Sequence, residues 1–444
     1  MTAPAASGLL SVEAAREALL TGLEPVATEW VATPTALGRV VAEVVTARIS
    51  LPPWPNSAMD GYAIRAADTA NADDDNPVEI RVIDDIAAGA APSVRIAPGT
   101  AARIATGARL PEGADAVVPV ELTTPVDAAG RPGPRGRDAT GPLPASCLVH
   151  EAVAVGGSVR PAASDLRTGA TLFGPGTALT AAAVALAAGA GVERLTVYRR
   201  PRVGVLATGD EIRAPGQALG PSGIPDANGP GLRAQVTAAG AEPIDLGVAS
   251  DELGDVLKRL RGGIEVEADA LIISGGVSVG PYDVVKTAME TIGRVDLWRV
   301  AVQPGKPFAF GVADRGGGGP GIPVFGLPGN PVSSAVTFEL FVRPAIRRLA
   351  GRLDLVRPAD RAVLDDPVSK SQGRRAFLRV QAQRAEDGAP LRDDLGRVRV
   401  RLAGGQGSHV LSALAAADAL AIVPEHVDAL PAGADVAIWW LDSA

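Results

Sequence analysis

The chain has 444 residues, enough for roughly two to four domains, and its formal net charge is −8 at pH 7. This acidic balance argues against general electrostatic binding to nucleic acid or to anionic lipid. The single cysteine, Cys147, excludes an intramolecular disulfide and a cysteine-ligated zinc site, and three scattered histidines argue against a histidine metal cluster. Any bound metal is therefore expected to use carboxylates and phosphate oxygens.

Charged residues interrupt the first apolar segment of the chain, so no secretory signal is visible there. The apolar segment Ala181–Val192 is too short to cross a bilayer. The sequence therefore predicts a soluble, cytoplasmic protein without membrane insertion.

Near the N-terminus, Ser11–Leu20 predicts a capped amphipathic helix and Val40–Ile49 predicts a strand. The segment Leu51–Ala63 that follows has three prolines and several turn-forming residues, which predicts an ordered but irregular loop. Such a loop can face a ligand with Asp60, or it can be a rigid turn in which that carboxylate caps its own backbone.

Short alternating strands between Val78 and Val120 predict a small β-rich domain, with Thr106 at the end of one strand. Pro, Gly and Arg dominate Thr123–Ser146 without any period, which predicts a mobile surface excursion. A new β unit is predicted from about Val149.

Strand and helix patterns alternate across Val203–Ala350, which predicts a doubly wound parallel sheet. This region is preceded by the predicted helix Thr177–Gly189 and by a basic link, Tyr198–Arg202. The predicted strands are Val203–Ala207, Ile244–Val248, Ala270–Ile273 and Val295–Val302.

The segment Asp269–Lys286 carries the strongest local signal for a binding site. A buried strand stops at Ser274, Gly275 and Gly276, where backbone N–H groups are open to a ligand, and Ser278 adds a hydroxyl group. A strand, a glycine turn and a helix together hold phosphate-like anions in many α/β folds. The alternative is a tight strand-to-helix turn without any ligand.

Other polar residues are predicted at the same edge of the sheet. Asp210 and Glu211 follow the strand Val203–Ala207, where they can hold magnesium or serve as helix-capping acids, and the next strand ends near Asp251. Two Pro/Gly turns carry Lys306 and Ser333, a cation and a hydroxyl group suited to a tetrahedral oxyanion.

Short strands separated by turn signals after Ala350 predict a small C-terminal β-barrel, so the fold class is α/β plus β. The predicted domains are 1–50 with 155–200 as a discontinuous N-terminal linker domain, 51–154 as a β-rich domain, 201–350 as the α/β domain and 351–444 as the barrel.

Six motifs in order make the sequence resemble the molybdopterin molybdenumtransferase family, called MoeA in bacteria and found as the E domain of gephyrin in animals. The resemblance runs from about residue 10 to residue 440. The motifs are NSAMDGYA (Asn56–Ala63), IATGARLPEGADAVV (Ile104–Val118), TGDE (Thr208–Glu211), SGGVSVG (Ser274–Gly280), PGKPFAFG (Pro304–Gly311) and LPGNPVS (Leu327–Ser333).

The resemblance implies an elongated homodimer of four-domain subunits whose active site lies between the subunits. It implies that adenylylated molybdopterin and molybdate are converted to molybdenum cofactor and AMP with Mg²⁺. Molybdopterin adenylyltransferase and apo-molybdoenzymes are the implied partners.

The resemblance also implies roles for individual residues. The catalytic positions are Asp60, Thr106, Asp165, Glu211, Asp251 and Asp283, of which Glu211 and Asp251 hold the metal. The pterin-binding positions are Asp226, Ser274, Gly275, Gly276, Ser278, Pro328 and Pro331, and the molybdate-binding positions are Lys306, Ser333, Arg374 and Ser408.

Arg299 and Gln303 stand where members of this family often have lysines, so one cation near the anion site is exchanged and one is lost. Two other functions stay open at this point. One is a gephyrin-like scaffold that binds a protein partner. The other is the adenylyltransferase, whose single domain is similar to Val203–Ala350 but which has neither the NSAMDGYA domain nor the barrel.

Overall fold

The computed structural model of the protein describes residues 9–136, 141–276, 284–316 and 321–441. None of the helices in these ranges is long and apolar enough to cross a membrane. Most of the regular elements in the N-terminal two hundred residues are strands. In chain order, their elements are α1 (Val12–Leu20), β1 (Thr28–Ala32), β2 (Val40–Val41), β3 (Val45–Thr46), β4 (Asn56–Ser57), β5 (Gly61–Ile64), β6 (Val78–Ile86), β7 (Thr100–Ile104), β8 (Ala116–Pro119), β9 (Thr123–Val126), β10 (Ser146–Val149), β11 (Val159–Arg160), β12 (Thr171–Phe173), α2 (Ala181–Gly189) and β13 (Arg194–Tyr198).

The predicted capped helix is confirmed as α1, because the Ser11 side chain accepts a hydrogen bond from the Ala14 N–H at 3.1 Å. The single strand predicted for Val40–Ile49 is wrong. The chain instead forms β2, which pairs with β13, and β3, which pairs with β12. The strand is interrupted because its two ends pair with strands of different sheets, although the same alternating composition continues through it.

A six-stranded sheet with the order β8–β5–β7–β6–β10–β9 contains most of the strands between residues 56 and 149. The prediction that Leu51–Ala63 lacks regular structure is wrong at its end, where β5 pairs with both β7 and β8. A Cβ at Gly61 would lie 2.0 Å from the Val118 carbonyl oxygen, so the glycine permits this close pairing.

The ends of the predicted excursion Thr123–Ser146 are also regular. They form β9 and the start of β10, which are antiparallel to each other. Thr123 lies opposite Val149, and Val126 lies opposite Ser146. The unit predicted to begin near Val149 is therefore the last strand of the existing sheet, and Cys147 is buried within it. Part of the excursion, 137–140, lies outside the described residues.

The region from Arg202 to Leu349 folds around a second six-stranded sheet. Its elements are β14 (Arg202–Thr208), β15 (Ile212–Arg213), β16 (Ile224–Pro225), α3 (Asn228–Ala238), β17 (Glu242–Ala249), α4 (Leu253–Glu265), β18 (Ala270–Ser274), α5 (Val284–Ile292), β19 (Gly293–Arg299), β20 (Val302–Gln303), β21 (Pro307–Ala313), β22 (Ile322–Leu327), α6 (Pro331–Thr337), a π-helical segment (Phe338–Val342) and α7 (Arg343–Leu349).

This sheet has the order β17–β14–β18–β22–β21–β19 and carries helices on both faces. Alternate residues of β18 divide between two cores: Ala270 and Ile272 pack with α3 and α6, whereas Leu271 and Ile273 pack with α4 and α5. The doubly wound α/β fold is therefore confirmed. The sheet is mixed, because β21 runs antiparallel to both of its neighbours, β22 and β19.

The C-terminal region forms the predicted barrel. Its elements are β23 (Ala359–Leu364), β24 (Val368–Ser369), β25 (Arg375–Ala382), β26 (Val398–Leu402), α8 (Leu411–Ala415), β27 (Ala419–Val423), β28 (Ala429–Leu430) and β29 (Ala434–Trp440). The order β25–β26–β23–β29–β27 closes on itself, because β27 also pairs with β25. Closure leaves these five strands without a free edge.

The N-terminal helix α1 does not pack with the strands that follow it in sequence. Its residues Val12, Ala15 and Leu19 belong to the core formed by the α/β sheet, α6 and α7. Leu10, two residues before the helix, exchanges backbone hydrogen bonds with Arg299 and Ala301 at 2.9 and 2.8 Å. The first helix of the chain is thus a part of the α/β region.

Candidate functional site

A cleft of about 990 Å³ lies at the carboxyl ends of β14, β18 and β22. Ligands of open α/β sheets bind at this edge, where parallel strands give way to loops. The cleft collects eight of the residues predicted from the sequence, which are Glu211, Asp226, Asp251, Ser274, Gly275, Gly276, Pro328 and Pro331.

The glycine turn after β18 forms one wall of this cleft. Gly275 and Gly276 have φ values of +106° and +63°, a region that favours glycine. A Cβ at Gly275 would lie 2.6 Å from the Thr208 carbonyl oxygen, so no side chain fits there. The turn therefore brings bare backbone against the end of β14, as the sequence predicts for an anion-binding loop.

Asn228, at the start of α3, ties two loops of the cleft together. Its side-chain amide donates to the Ser274 hydroxyl group at 2.8 Å and to the Gly329 carbonyl oxygen at 2.7 Å. The Ser274 hydroxyl group also lies 3.5 Å from the Pro328 carbonyl oxygen. The loop after β18 and the loop after β22 are thus held at a fixed separation by one side chain.

Three carboxylates line the cleft, and each is placed by the local backbone. Asp251 accepts a hydrogen bond from the Asp210 N–H at 3.2 Å, while Asp210 accepts one from the Asp251 N–H at 3.1 Å. Asp226 caps α3 by accepting the Gly229 N–H at 2.8 Å. The Glu211 carboxylate folds over Gly209, where an added Cβ would come within 2.7 Å of it.

The donor chemistry of this cleft fits Mg²⁺. Magnesium in nucleotide sites is bound by one or two carboxylates together with substrate phosphates, and Glu211 and Asp251 supply two carboxylates on one cleft. Within the described ranges, no group of three or more His, Cys, Asp or Glu side chains comes together as a site for a metal ion. A metal bound here would need ligands from the substrate or from water.

Asp60 and Thr106 form a pair elsewhere, on the six-stranded N-terminal sheet. The Asp60 carboxylate accepts hydrogen bonds from the Thr106 N–H at 2.7 Å and from its hydroxyl group at 2.8 Å. These two bonds hold the pKa of Asp60 below its ordinary value. Neither residue lines the cleft of its own chain, and the exposed Asp165 does not line it either.

The four residues predicted to bind molybdate lie on segments that meet around residues 301–306, beside the cleft. The Ser408 carbonyl oxygen accepts the N–H of Val332, the neighbour of Ser333, at 3.1 Å. The strand β20, which precedes Lys306, pairs with the start of β25, next to Arg374. The structure brings these four segments together but does not place their side chains in the cleft.

Two predicted residues, Ser278 and Asp283, lie outside the described residues. Sequence reasoning missed other polar lining residues, among them Asn228, Asn330 and His409. Asn228 follows the predicted Asp226 by two residues and His409 follows the predicted Ser408 directly. Their position beside predicted residues was the signal that could have identified them.

Three family profiles match the chain in order. They are the MoeA N-terminal region (domains I and II) over residues 10–191, a probable molybdopterin-binding domain over residues 204–348 and the MoeA C-terminal region (domain IV) over residues 361–441. Between them they include both N-terminal regions, the α/β region and the barrel.

Full-length relatives give the same result. Molybdopterin molybdenumtransferase 2 of Mycobacterium tuberculosis is 38% identical over 413 residues, which cover 91% of this chain and 93% of that protein. The Haemophilus influenzae molybdopterin molybdenumtransferase is 32% identical over 432 residues, with coverage of 97% and 98%. A crystal structure of a MoeA protein from Pyrococcus horikoshii has a TM-score of 0.77 and 30% identity, and the match covers 98% of this chain and 100% of that one. The chain therefore belongs to the molybdopterin molybdenumtransferase (MoeA) family.

Proposed function

We propose that this protein is a molybdopterin molybdenumtransferase that inserts molybdate into adenylylated molybdopterin and releases AMP. The observation that carries the proposal is the cleft at the carboxyl edge of the sheet, where a bare glycine turn and carboxylates meet on one surface. A nucleotide-bearing pterin needs donors for its phosphates and a site for a divalent ion, and this cleft offers both.

The cleft residues divide into two roles in this proposal. Ser274, Gly275 and Gly276 bind the pterin nucleotide through backbone donors, and Asp226, Pro328 and Pro331 shape the rest of its site. Glu211 and Asp251 would hold Mg²⁺, which would polarise the phosphoanhydride when bound. The proposal needs no protein nucleophile, because the protein contributes positioning and charge neutralisation to cleavage of the phosphoanhydride and insertion of the metal.

The residues outside the cleft complete the proposed site. Lys306, Ser333, Arg374 and Ser408 form the molybdate cradle beside the cleft. The pair Asp60–Thr106, together with Asp165, is exposed and lies on the N-terminal sheets, which supports a homodimer in which one subunit presents these residues to the cleft of its partner. We place the enzyme in the cytoplasm, with the adenylyltransferase and apo-molybdoenzymes as partners.

The test is a transfer assay with purified protein, adenylylated molybdopterin, magnesium and a low concentration of molybdate. We expect AMP release that depends on molybdate, together with activation of an apo-molybdoenzyme. The variant Glu211→Gln is expected to lose turnover while it keeps its fold. The matched control, Glu242→Gln, changes an exposed acid at the other end of the sheet and should retain activity.

Absence of molybdate-dependent AMP release, with the pterin still bound, would refute the proposal. The two-subunit site has its own test. If Asp60→Asn and Glu211→Gln are each inactive, mixed dimers should regain activity from about one quarter of the sites, because only a heterodimer contains one intact combination. Lack of recovery in mixed dimers would show that the two groups do not act across subunits.

A further inference from the structure

We propose that His409, in its protonated form, binds a tetrahedral oxyanion of the substrate in the cleft. This inference rests on the proposed function, because it assumes that an anionic ligand enters the cleft. The residue comes from the barrel, on the segment between β26 and α8, and it lines the cleft together with Asn330 and Pro331.

The charge of the cleft lining is the first argument. Its charged side chains are Glu211, Asp226 and Asp251, and its described residues include no lysine and no arginine. Both molybdate and a phosphate ester are anions, and even with Mg²⁺ on Glu211 and Asp251 the Asp226 carboxylate would repel them. Among the described residues of the lining, His409 is the one side chain that can carry positive charge.

The second argument is that this imidazole is uncommitted. No hydrogen bond or ion pair joins the His409 side chain to another part of the described chain. Its backbone, in contrast, is fixed: the Ser408 carbonyl oxygen accepts the Val332 N–H at 3.1 Å, and the Leu411 N–H donates to the His409 carbonyl oxygen at 3.0 Å. A positioned residue with an exposed and unpaired side chain is ready to meet a ligand.

The third argument concerns the space around the ring. A Cβ at Gly407 would come within 2.9 Å of the His409 Cε1 atom, so the glycine lets the ring fold back over its own segment. No other ionisable residue occurs between Ala403 and Ala417, and the first turn of α6, Pro331–Ser334, has none. The charged groups around this segment are the three carboxylates of the lining and Arg379, which donates to the Gly405 and Gly407 carbonyl oxygens at 3.4 and 3.3 Å.

Histidine changes its charge between about pH 5 and pH 8, which makes the proposal measurable as a pH dependence. The experiment titrates AMP and, separately, molybdate into the full-length protein with Mg²⁺ at pH 6 and pH 8. The variants are His409→Gln, which cannot be charged, and His409→Lys, which stays charged at both pH values. His426→Gln is the matched control, because His426 is exposed on the barrel and does not line the cleft.

We expect His409→Gln to weaken binding of at least one ligand by about tenfold at pH 6 and by twofold or less at pH 8, since a charge-assisted hydrogen bond is lost only at the lower pH. His409→Lys should bind as tightly as the unmodified protein at pH 6 and should exceed it at pH 8. The same ligand is titrated into every variant, so its own protonation cancels. The control should match the unmodified protein at both values.

The two ligands distinguish the source of the oxyanion. A loss for AMP alone assigns His409 to the nucleotide phosphate, and a loss for molybdate alone assigns it to the free oxyanion. Unchanged affinity of folded His409→Gln for both ligands at pH 6 would overturn the inference. The outcome is separate from the proposed function, because a protein that binds AMP through His409 but releases none from the pterin would retain this inference and lose the transferase proposal.

Discussion

Replacing Asn228 with alanine tests whether one side chain sets the shape of the cleft. The substitution removes hydrogen bonds of 2.8 Å to Ser274 and 2.7 Å to Gly329. Each bond contributes about 1 kcal/mol net, and a buried partner left without a bond costs about 1–3 kcal/mol. Gly329 is exposed and its carbonyl oxygen can bind water, whereas the Ser274 side chain is buried and keeps only contacts of 3.5 Å.

We therefore expect Asn228→Ala to lower the free energy of unfolding by about 1.5–2.5 kcal/mol, most of it from Ser274. The loops after β18 and β22 would lose their fixed separation, and AMP affinity should fall by about tenfold, since 1.4 kcal/mol of lost preorganisation is a factor of ten. Urea unfolding measures the first quantity, and calorimetric titration of AMP measures the second.

The matched control is Gln235→Ala on the same helix. Its amide donates at 3.3 Å to the Ala335 carbonyl oxygen and to Glu339, away from the cleft. This variant should lose some stability but should keep its affinity for AMP. The reasoning is refuted if the affinity of Asn228→Ala for AMP is within twofold of that of the unmodified protein. The Asn228 hydrogen bonds would then hold the loops without organising the site.

Two further predictions follow from single carboxylates. Asp269→Asn breaks the buried, bidentate pair with Arg199 and should cost about 3 kcal/mol of stability, which is measured as a lower thermal unfolding midpoint. Asp245→Asn breaks an exposed pair and should cost under about 1 kcal/mol. Equal shifts of the midpoint in the two variants would contradict the burial argument. Thr106→Val removes one of two donors to Asp60, so the pKa of Asp60 should rise towards its ordinary value but stay below it, which a carboxyl NMR titration measures. The stability from this pair is present above the ordinary carboxyl pKa and is lost as the pH falls through the lowered one; an unchanged pKa in the variant would show that the hydroxyl group contributes nothing.

Local composition was sufficient to predict those elements whose burial follows from their own sequence pattern. The strand Ala270–Ser274 is apolar on both faces and ends at glycines, so its burial, its position in the sheet and its loop could all be predicted. The same holds for α1, where a serine cap and the apolar spacing fix the helix. These features depend on residues that are adjacent in the chain.

Features that depend on distant segments could not be predicted. Nothing in the strand Gly293–Arg299 indicates that it runs antiparallel to Pro307–Ala313 at the edge of a parallel sheet. The site shows the same limit. Turn chemistry identified Ser274 and its glycines, but the partner Asn228 is 46 residues away, and no local pattern links the two. The motif resemblance named the candidate site residues, but only the three-dimensional fold shows which of them line the same cleft.

The position of α1 in the α/β core has a consequence for biosynthesis. Its nine residues are too few for a stable isolated helix, and it packs against the π-helical segment and α7 and forms an ion pair with Arg375. At about 5–20 residues per second, the ribosome needs roughly 15–60 s to make the stretch of about 290 residues between Leu10 and Val300. Throughout that time the apolar stripe Val12–Leu19 lacks the partners that bury it in the folded protein. The helix α1 is thus translated long before the segments that it packs against.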